Sequence, residues 1–441
     1  MISSILVANR GEIAVRIVRA CRELGIRSVV AFSDADRHSL AVRMADEAVC
    51  IGPPAASESY LNIPNLVSAA VLSHCDAVHP GVGFLSENAG FAREVTDAGL
   101  VFIGPPAETI SLLGDKVQAK QTAIGQHVPV IPGSTGSVAD IEAARRDAAE
   151  IGYPVIVKAA AGGGGKGMRI CHREEDLAGI LQIASAEAQK AFSDGTVYLE
   201  KYLTSPRHVE LQVLADSQGN VVHLGERDCS VQENHQKLVE ESPSTAVDDD
   251  LREKMGADAI RLFSSLDYVG AGTIEFLVED GRHYFMEVNA RVQVEHPVTE
   301  MVTGVDIIAE QIRAASGEPL SITQDDIDLR GYAVECRVNA KAPGTVTHYY
   351  PPGGFGTRVD SFLHTGAIVP PFYDSLVAKL IVHGRDRDEG LARMDRALSE
   401  FEIAGVPTNI ERQRDIINSR VFQGGVFGTD VLAHIMKEIG Q

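Results

Sequence analysis

Tyr153-Pro154-Val155-Ile156-Val157-Lys158 runs into Gly162-Gly163-Gly164-Gly165-Lys166-Gly167 and on to Met168-Arg169-Ile170-Cys171, and the reading of this stretch decides the fold. It contains a formal G-x-G-x-x-G through Gly162, Gly164 and Gly167. That fingerprint should open a helix after a strand, whereas Met168 to Cys171 reads as a second strand. A Walker A loop is excluded too, because Gly167 stands where Ser or Thr should follow the lysine. Strand, glycine loop and strand together make a hairpin flap. Its glycines allow backbone amides close to phosphate oxygens, and Lys158 ends the leading strand within reach of one. A plain surface turn would gain nothing from so many glycines, which are entropically costly to order. The stretch is therefore read as a phosphate lid.

On the N-terminal side, Ser4 to Ala8 reads as a buried strand and Asn9-Arg10-Gly11 as a turn. Ile13, Ile17, Ala20, Cys21 and Leu24 then fall at helical spacing until Gly25. Ser28 to Phe32 completes a βαβ start. The glycine-marked loop Gly81 to Asn88 follows the strand at Ala77-Val78, a position that lines ligand crevices in open α/β sheets. Ala107 to about Gln126 reads as helix broken at Gly114-Asp115-Lys116. Ser137 to Ile151 reads as a helix capped by Ser137. From Val197 onward antiparallel strands are predicted at 198–202, 209–215, 221–227, 272–278 and 283–288, with a helix over 251–266. A last unit begins near Arg330.

Two glutamates, Glu275 and Glu287, flank a turn at Glu279-Asp280-Gly281. A two-residue Asp-Gly turn would pair Glu275 with Met286 and send Glu287 to the other face. A three-residue turn with Gly281 as bulge puts both on one face as diagonal neighbours, where they can share Mg²⁺ with ATP phosphates. The bulged turn is the expectation, although an ordinary solvated hairpin would carry the same pair. In Glu287 to Glu295 every odd position is polar, which in an extended chain gives a ladder of Glu287, Asn289, Arg291, Gln293 and Glu295. Arg227 to Lys237 reads as a donor-rich loop holding Gln232, His235 and Lys237, with His208 before it. Cys229 is read as core, or as a residue lying behind the site, rather than as a nucleophile.

Bulk properties narrow the class. The 441 residues are too many for one core, so two or three domains are expected. The net charge of −21 and the absence of Trp argue against nucleic-acid partners. Six scattered cysteines form no C-x-x-C pair and fit a reducing compartment. Neither a signal peptide nor a membrane-length apolar run is seen, so a cytoplasmic protein with no membrane role is expected.

Taken in order, Ala8 to Ala14 (ANRGEIA), Gly81 to Asn88 (GVGFLSEN), Gly114-Asp115-Lys116, Lys158 with the lid, Arg207 to Glu210, Arg227 to Ser230, Glu287 to Glu300 (EVNARVQVEHPVTE) and Ala333 to Arg337 resemble the biotin carboxylase family of ATP-grasp ligases along essentially the whole chain. The resemblance implies an α/β fold: a Rossmann-like domain over 1–113, an ATP-grasp domain over 114–317 with its lid at about 131–203, and an α+β domain over 330–437. It implies that Lys116, Lys158, Gly164 and Gly165 bind ATP phosphates, that Glu200, Lys201 and Leu203 border the adenine, and that His208, Gln232 and His235 contact the nucleotide. Glu275, Glu287 and Asn289 would hold Mg²⁺ or Mn²⁺. Lys237, Arg291, Gln293 and Val294 would cradle bicarbonate, Glu295 would deprotonate it, and Arg337 would stabilise the biotin enolate.

The same resemblance implies biotin delivered on a separate carrier protein, since Met436-Lys437 is followed by Glu438 rather than by a biotinylation motif. It further implies separate carboxyltransferase subunits, a homodimer with Arg19, Glu23 and Phe355 near its interface, and a place in an acetyl-CoA or related acyl-CoA carboxylase feeding fatty acid synthesis. The chain departs from the family pattern at Val82, where tyrosine is frequent, at Glu233-Asn234, which replaces a basic pair, and in a shortened loop after Ala340. Other readings are a different ATP-grasp ligase, such as a carbamoyl-phosphate or purine-pathway enzyme, and a catalytically silent assembly subunit. A Rossmann dehydrogenase ranks last, because the first turn lacks the glycine fingerprint.

Overall fold

The structure is a computed structural model that describes residues 2–134, 136, 138, 140–159, 168–192, 194–234 and 236–440. Two compact units are present: 1–128 together with 207–441, and the inserted 129–206.

The first unit opens with a five-stranded parallel sheet of β1 (Ser4–Val7), β2 (Arg27–Ser33), β3 (Glu47–Gly52), β4 (Ala77–His79) and β5 (Val101–Phe102), in the order β3-β2-β1-β4-β5. β1 is buried along its whole length, as a central parallel strand covered on both faces must be. The helix Gly11–Glu23 buries Ile13, Ile17, Ala20 and Cys21, as their spacing predicts. After β4 the chain turns through Gly81 at φ +66°, a conformation that favours glycine. A β-carbon there would lie 2.8 Å from Asn9 Nδ2. Asn9 occupies that space to donate to the carbonyls of Pro80 (2.7 Å) and Val82 (2.9 Å), and so fixes the loop. Asp115 breaks the next helical stretch as expected, ending Ala107–Gly114 and capping Lys116–Gly125 through the amides of Val117 and Gln118.

The inserted unit is a three-stranded antiparallel sheet of β6 (Val155–Ala159), β7 (Met168–Cys171) and β8 (Val197–Lys201), ordered β7-β6-β8. The glycine run is thus flanked by paired strands, with Lys158 opposite Met168, as the flap reading requires. Helices Ile141–Ile151 and Glu174–Phe192 pack on the sheet through Ala144, Ala148, Leu177, Leu181 and Ala184. The first of these helices begins four residues later than predicted. Asp140 is its cap, accepting from the amide of Ala143 at 2.8 Å, and Ser137 lies outside the described residues.

The rest of the first unit is dominated by an eight-stranded antiparallel sheet. Its strands are β9 (Arg207–Ala215), β10 (Val221–Glu233), β11 (Gln236–Ser242), β12 (Gly270–Glu279), β13 (Arg282–Asn289), β14 (Tyr332–Asn339), Leu376–Gly384 and Thr357–Ser361. They run in the order β13-β12-β9-β10-β11-β14, then Leu376–Gly384 and Thr357–Ser361. The pairing of β11 with β14 joins the middle of the chain to its C-terminal part in one sheet. β11 was missed in the sequence, and the supposed donor-rich loop from Arg227 to Lys237 is mostly the β10–β11 hairpin. Its side chains are functional polar groups, so the apolar alternation that signals a strand is absent. Among the described residues no helix is long and apolar enough to cross a membrane.

Candidate active site

Register decides what the β12–β13 hairpin presents. The turn has two residues, Asp280 at φ +51° and Gly281 at φ +68°, with Glu279 paired to Arg282. The expected three-residue bulged turn is therefore incorrect: Asp-Gly adopts the tight hairpin turn whose twist matches the strands. The extra residue lies inside β13, where Phe276 pairs with Phe285 and Glu275 with Glu287, so Met286 bulges out. The carboxylates consequently sit directly opposite each other, not diagonally. The ladder beyond is also only partly extended. β13 ends at Asn289, and a turn delivers Glu295 to the start of helix His296–Thr303.

A cleft of about 490 Å³ is lined by Lys116, His208, Lys237, Glu275, Glu287, Asn289, Arg291, Gln293, Val294 and Arg337, with Val82, Gln232 and Asp374 among its other walls. At its floor Lys237 Nζ lies 2.6 Å from Glu210 Oε2, 3.2 Å from Glu275 Oε1 and 2.7 Å from Glu295 Oε1. Arg337 donates to Glu240 at 2.6 Å and to Glu295 Oε2 at 2.9 Å. Glu295 is thus held by two cations, one on each oxygen. Burial pushes its acid strength the opposite way, but Lys237, Arg337 and Arg227 prevail and keep it well below the usual carboxylate range. Burial likewise opposes ionisation of Glu275, and Lys237 and His208 overcome it to keep that carboxyl low. Burial raises Glu240 to about 7 against the pull of Arg337.

The remaining expected residues fall as follows. His208 Nε2 meets Glu275 Oε2 at 2.8 Å, and its Nδ1 lies 2.5 Å from the Gln232 amide. Asn289 donates to Glu275 at 2.8 Å, and Gln293 to the same oxygen at 3.4 Å. Arg291 donates to Gln293 Oε1 (3.0 Å), Asn289 Oδ1 (3.1 Å) and Glu87 Oε2 (2.8 Å). Lys116, largely exposed, pairs with Glu287 at 3.0 Å. The carbonyl of Val294 accepts from Lys379 at 2.8 Å. In the inserted unit, Lys158 is paired with Glu200, and Lys201 donates to the carbonyls of Gly152 (2.9 Å) and Tyr153 (3.1 Å). Leu203 is buried there. Gly164, Gly165 and His235 lie outside the described residues.

Four supporting residues carried no role in the sequence reading. Glu210 shares Lys237 with Glu295 and is itself held by Arg227 at 2.6 Å. Arg227, wholly buried, also donates to Gln212, Thr273 and Thr299. Glu240 anchors Arg337, and Glu87 anchors Arg291. The alternation of His208, Glu210 and Gln212 along β9 was a usable signal for Glu210, since period two puts all three on one face.

Glu275, Glu287 and Asn289 offer only oxygen ligands, two of them from strand positions facing each other. That donor set fits a hard cation such as Mg²⁺ or Mn²⁺. The cations Lys237, Arg291 and Arg337 beside it suit a small planar anion, with the arginines supplying rigid forks of donors.

Comparison with known proteins agrees with this geometry. Residues 1–110 match the family model for the biotin carboxylase N-terminal domain, and 334–434 that for the biotin carboxylase C-terminal domain. Residues 115–323 match the carbamoyl-phosphate synthase L chain ATP binding domain. Biotin carboxylase 1 of Bacillus subtilis is 52% identical over 442 residues, covering 98% of each chain. The biotin carboxylase domain of a thermophilic 2-oxoglutarate carboxylase, solved with ADP, superimposes with a TM-score of 0.94 at 46% identity over 98% of each chain. The corresponding domain dimer from Hydrogenobacter thermophilus, solved with MgADP, ADP and bicarbonate, gives 0.85 at 47% identity over 98% of each chain. With both flanking domains matched and a biotin carboxylase 52% identical along nearly the whole chain, the chain belongs to the biotin carboxylase family.

Proposed function

We propose that this chain carboxylates biotin presented on a carrier protein, using ATP and bicarbonate through carboxyphosphate. The observation that carries the reading is Glu295, its two oxygens held by Lys237 and Arg337 at the floor of the cleft. A carboxylate so stabilised is a weak base. Arrival of an anion changes that, because bicarbonate competes for the same cations and draws their field away from Glu295. Proton acceptance thereby becomes favourable when substrate is bound. Arg291, Gln293 and the Val294 backbone complete the bicarbonate cradle.

A bicarbonate oxygen then attacks the γ-phosphorus of ATP and ADP leaves. Carboxyphosphate breaks into CO₂ and phosphate. The phosphate takes the ureido N–H proton of biotin, and the resulting anion attacks CO₂. Arg337 faces the cleft and offers its guanidinium to the enolate oxygen. Lys116, His208 and Gln232 meet the nucleotide, and the family resemblance assigns Lys158, Gly164, Gly165, Glu200, Lys201, Leu203 and His235 to it as well. Glu275, Glu287 and Asn289 would hold Mg²⁺ or Mn²⁺, which neutralises phosphate charge when bound.

The domain limits 1–113, 114–317 and 330–437, a cytoplasmic homodimer, and separate carrier and carboxyltransferase subunits belong to the same proposal. The proposed final acceptor is acetyl-CoA or a related acyl-CoA, a choice made by the carboxyltransferase and not by this chain. Heavy-oxygen-labelled bicarbonate tests the reading: one labelled oxygen should appear in phosphate, and the carboxyl should be recovered on biotin. Unlabelled phosphate would remove carboxyphosphate from the account. Label in phosphate with no carboxybiotin would favour a different ATP-grasp ligase.

A further inference from the structure

β11 and β14 carry the two cations that hold Glu295, and their pairing stops just before those cations. Partners run from Ser242 with Ala333 to Val239 with Cys336. The next residues, Leu238 and Arg337, form no rung. Gln413, fully buried on helix Ile410–Asn418, stands in that place. Its Nε2 donates to the carbonyl of Arg337 at 2.7 Å and to that of Leu238 at 3.1 Å. Its Oε1 is buried without a partner, so the position is held by the donor end of the amide. Asn409 adds a second bond to the Arg337 carbonyl at 3.0 Å. One residue before Gln413, Arg412 forks onto Glu233 at 2.8 and 2.7 Å, tying the tip of the β10–β11 hairpin to the same helix. Glu233, read from the sequence as standing in place of a basic residue, serves in the structure as the partner of Arg412.

We propose that Gln413 is a positioning residue for the bicarbonate end of the site, setting the separation of Lys237 and Arg337 by bridging the strands where their ladder opens. The inference rests on the bicarbonate reading above and goes beyond it. Without the bridge, either the strands close into a regular rung, or the Leu238 carbonyl loses the Gln413 donor and the Arg337 carbonyl keeps only Asn409. Both outcomes move the cations relative to Glu295. Nucleotide contacts on Lys116 and His208 lie on other elements and are not held by Gln413.

The test is steady-state ATP hydrolysis by the full chain, varying bicarbonate and ATP separately, for wild type, Gln413→Met and Gln413→Asn. Methionine keeps the length but has no donor. Asparagine keeps the amide but is too short to reach both carbonyls. A misplacement on the ångström scale lowers kcat/KM for bicarbonate about 10- to 100-fold, with the KM for ATP unchanged. Folded fractions measured by unfolding normalise the rates. Gln413→Asn carries the test if Gln413→Met does not fold. Wild-type kcat/KM for bicarbonate per folded chain, or equal losses for ATP and bicarbonate, would overturn the inference. Wild type without bicarbonate-dependent turnover would instead overturn the reading beneath it.

Discussion

Lys237 is the cation on which the site's electrostatics turn, and Lys237→Met exposes what it does. Its ammonium lies 2.6, 3.2 and 2.7 Å from the carboxylates of Glu210, Glu275 and Glu295, with only 12% of the side chain exposed. After the substitution Glu210 keeps Arg227, Glu275 keeps His208 and Asn289, and Glu295 keeps Arg337. Removing one partner from a buried ionic cluster costs about 3–5 kcal/mol. The cost has a definite pH dependence. In the wild type Glu275 and Glu295 are depressed, burial being outweighed by Lys237 foremost. Their stabilisation is therefore present above the unfolded carboxylate range and is lost only as pH falls through the depressed folded values. In the variant the folded values rise, because the largest charge opposing burial at both carboxyls is gone. At acid pH the carboxyls are protonated and the deficit is small; it grows as pH rises. Urea unfolding of both proteins at about pH 3 and about pH 8 measures this, with the larger difference expected at the higher pH. A deficit independent of pH, or none, would refute the electrostatic account of the cluster.

Glu240 is raised by burial to about 7, against Arg337. Between the ordinary carboxylate range and that value the unfolded chain ionises first, so Glu240 makes stability fall with rising pH. Glu240→Gln should flatten that fall in a pH series of unfolding midpoints and should weaken biotin-dependent turnover by freeing Arg337. Gly281→Ala probes the tight turn alone. Nothing lies within 4 Å of an added β-carbon, so only the left-handed backbone at φ +68° is strained; a loss of about 1–2 kcal/mol in unfolding free energy is expected. Stripping divalent metal with a chelator should abolish ATP turnover while leaving the unfolding midpoint unchanged, because Glu275 and Glu287 already have protein partners in His208, Lys237, Asn289 and Lys116. A fall in the midpoint would mean that the metal is structural.

Much of this molecule is legible from its residues because local chemistry and tertiary context agree. The Gly11–Glu23 helix and the break at Asp115 follow from spacing and capping that the packed protein preserves. The residues flanking the glycine run pair as antiparallel strands, as a flap requires, and the run itself lies outside the described residues. The errors lie where polar function replaces apolar patterning. β11 carries Gln236 and Lys237 into the cleft and then Glu240 and Glu241 into buried ion pairs, so its strand character is hidden. The bulge at Met286 is a one-residue event inside a strand, and nothing in the Phe285-Met286-Glu287 sequence distinguishes it from a bulge in the turn. Gln413 is invisible in the sequence, because its partners are backbone carbonyls more than 70 residues away.

The central claim is that Glu295, poised between Lys237 and Arg337, activates bicarbonate so that biotin can be carboxylated. ATP hydrolysis in the presence of bicarbonate, with and without free biotin, in wild type and Glu295→Ala, tests it most directly. The account predicts turnover that biotin stimulates in the wild type and that is lost in the variant. Hydrolysis indifferent to biotin, or a Glu295→Ala enzyme that biotin still stimulates, would contradict it.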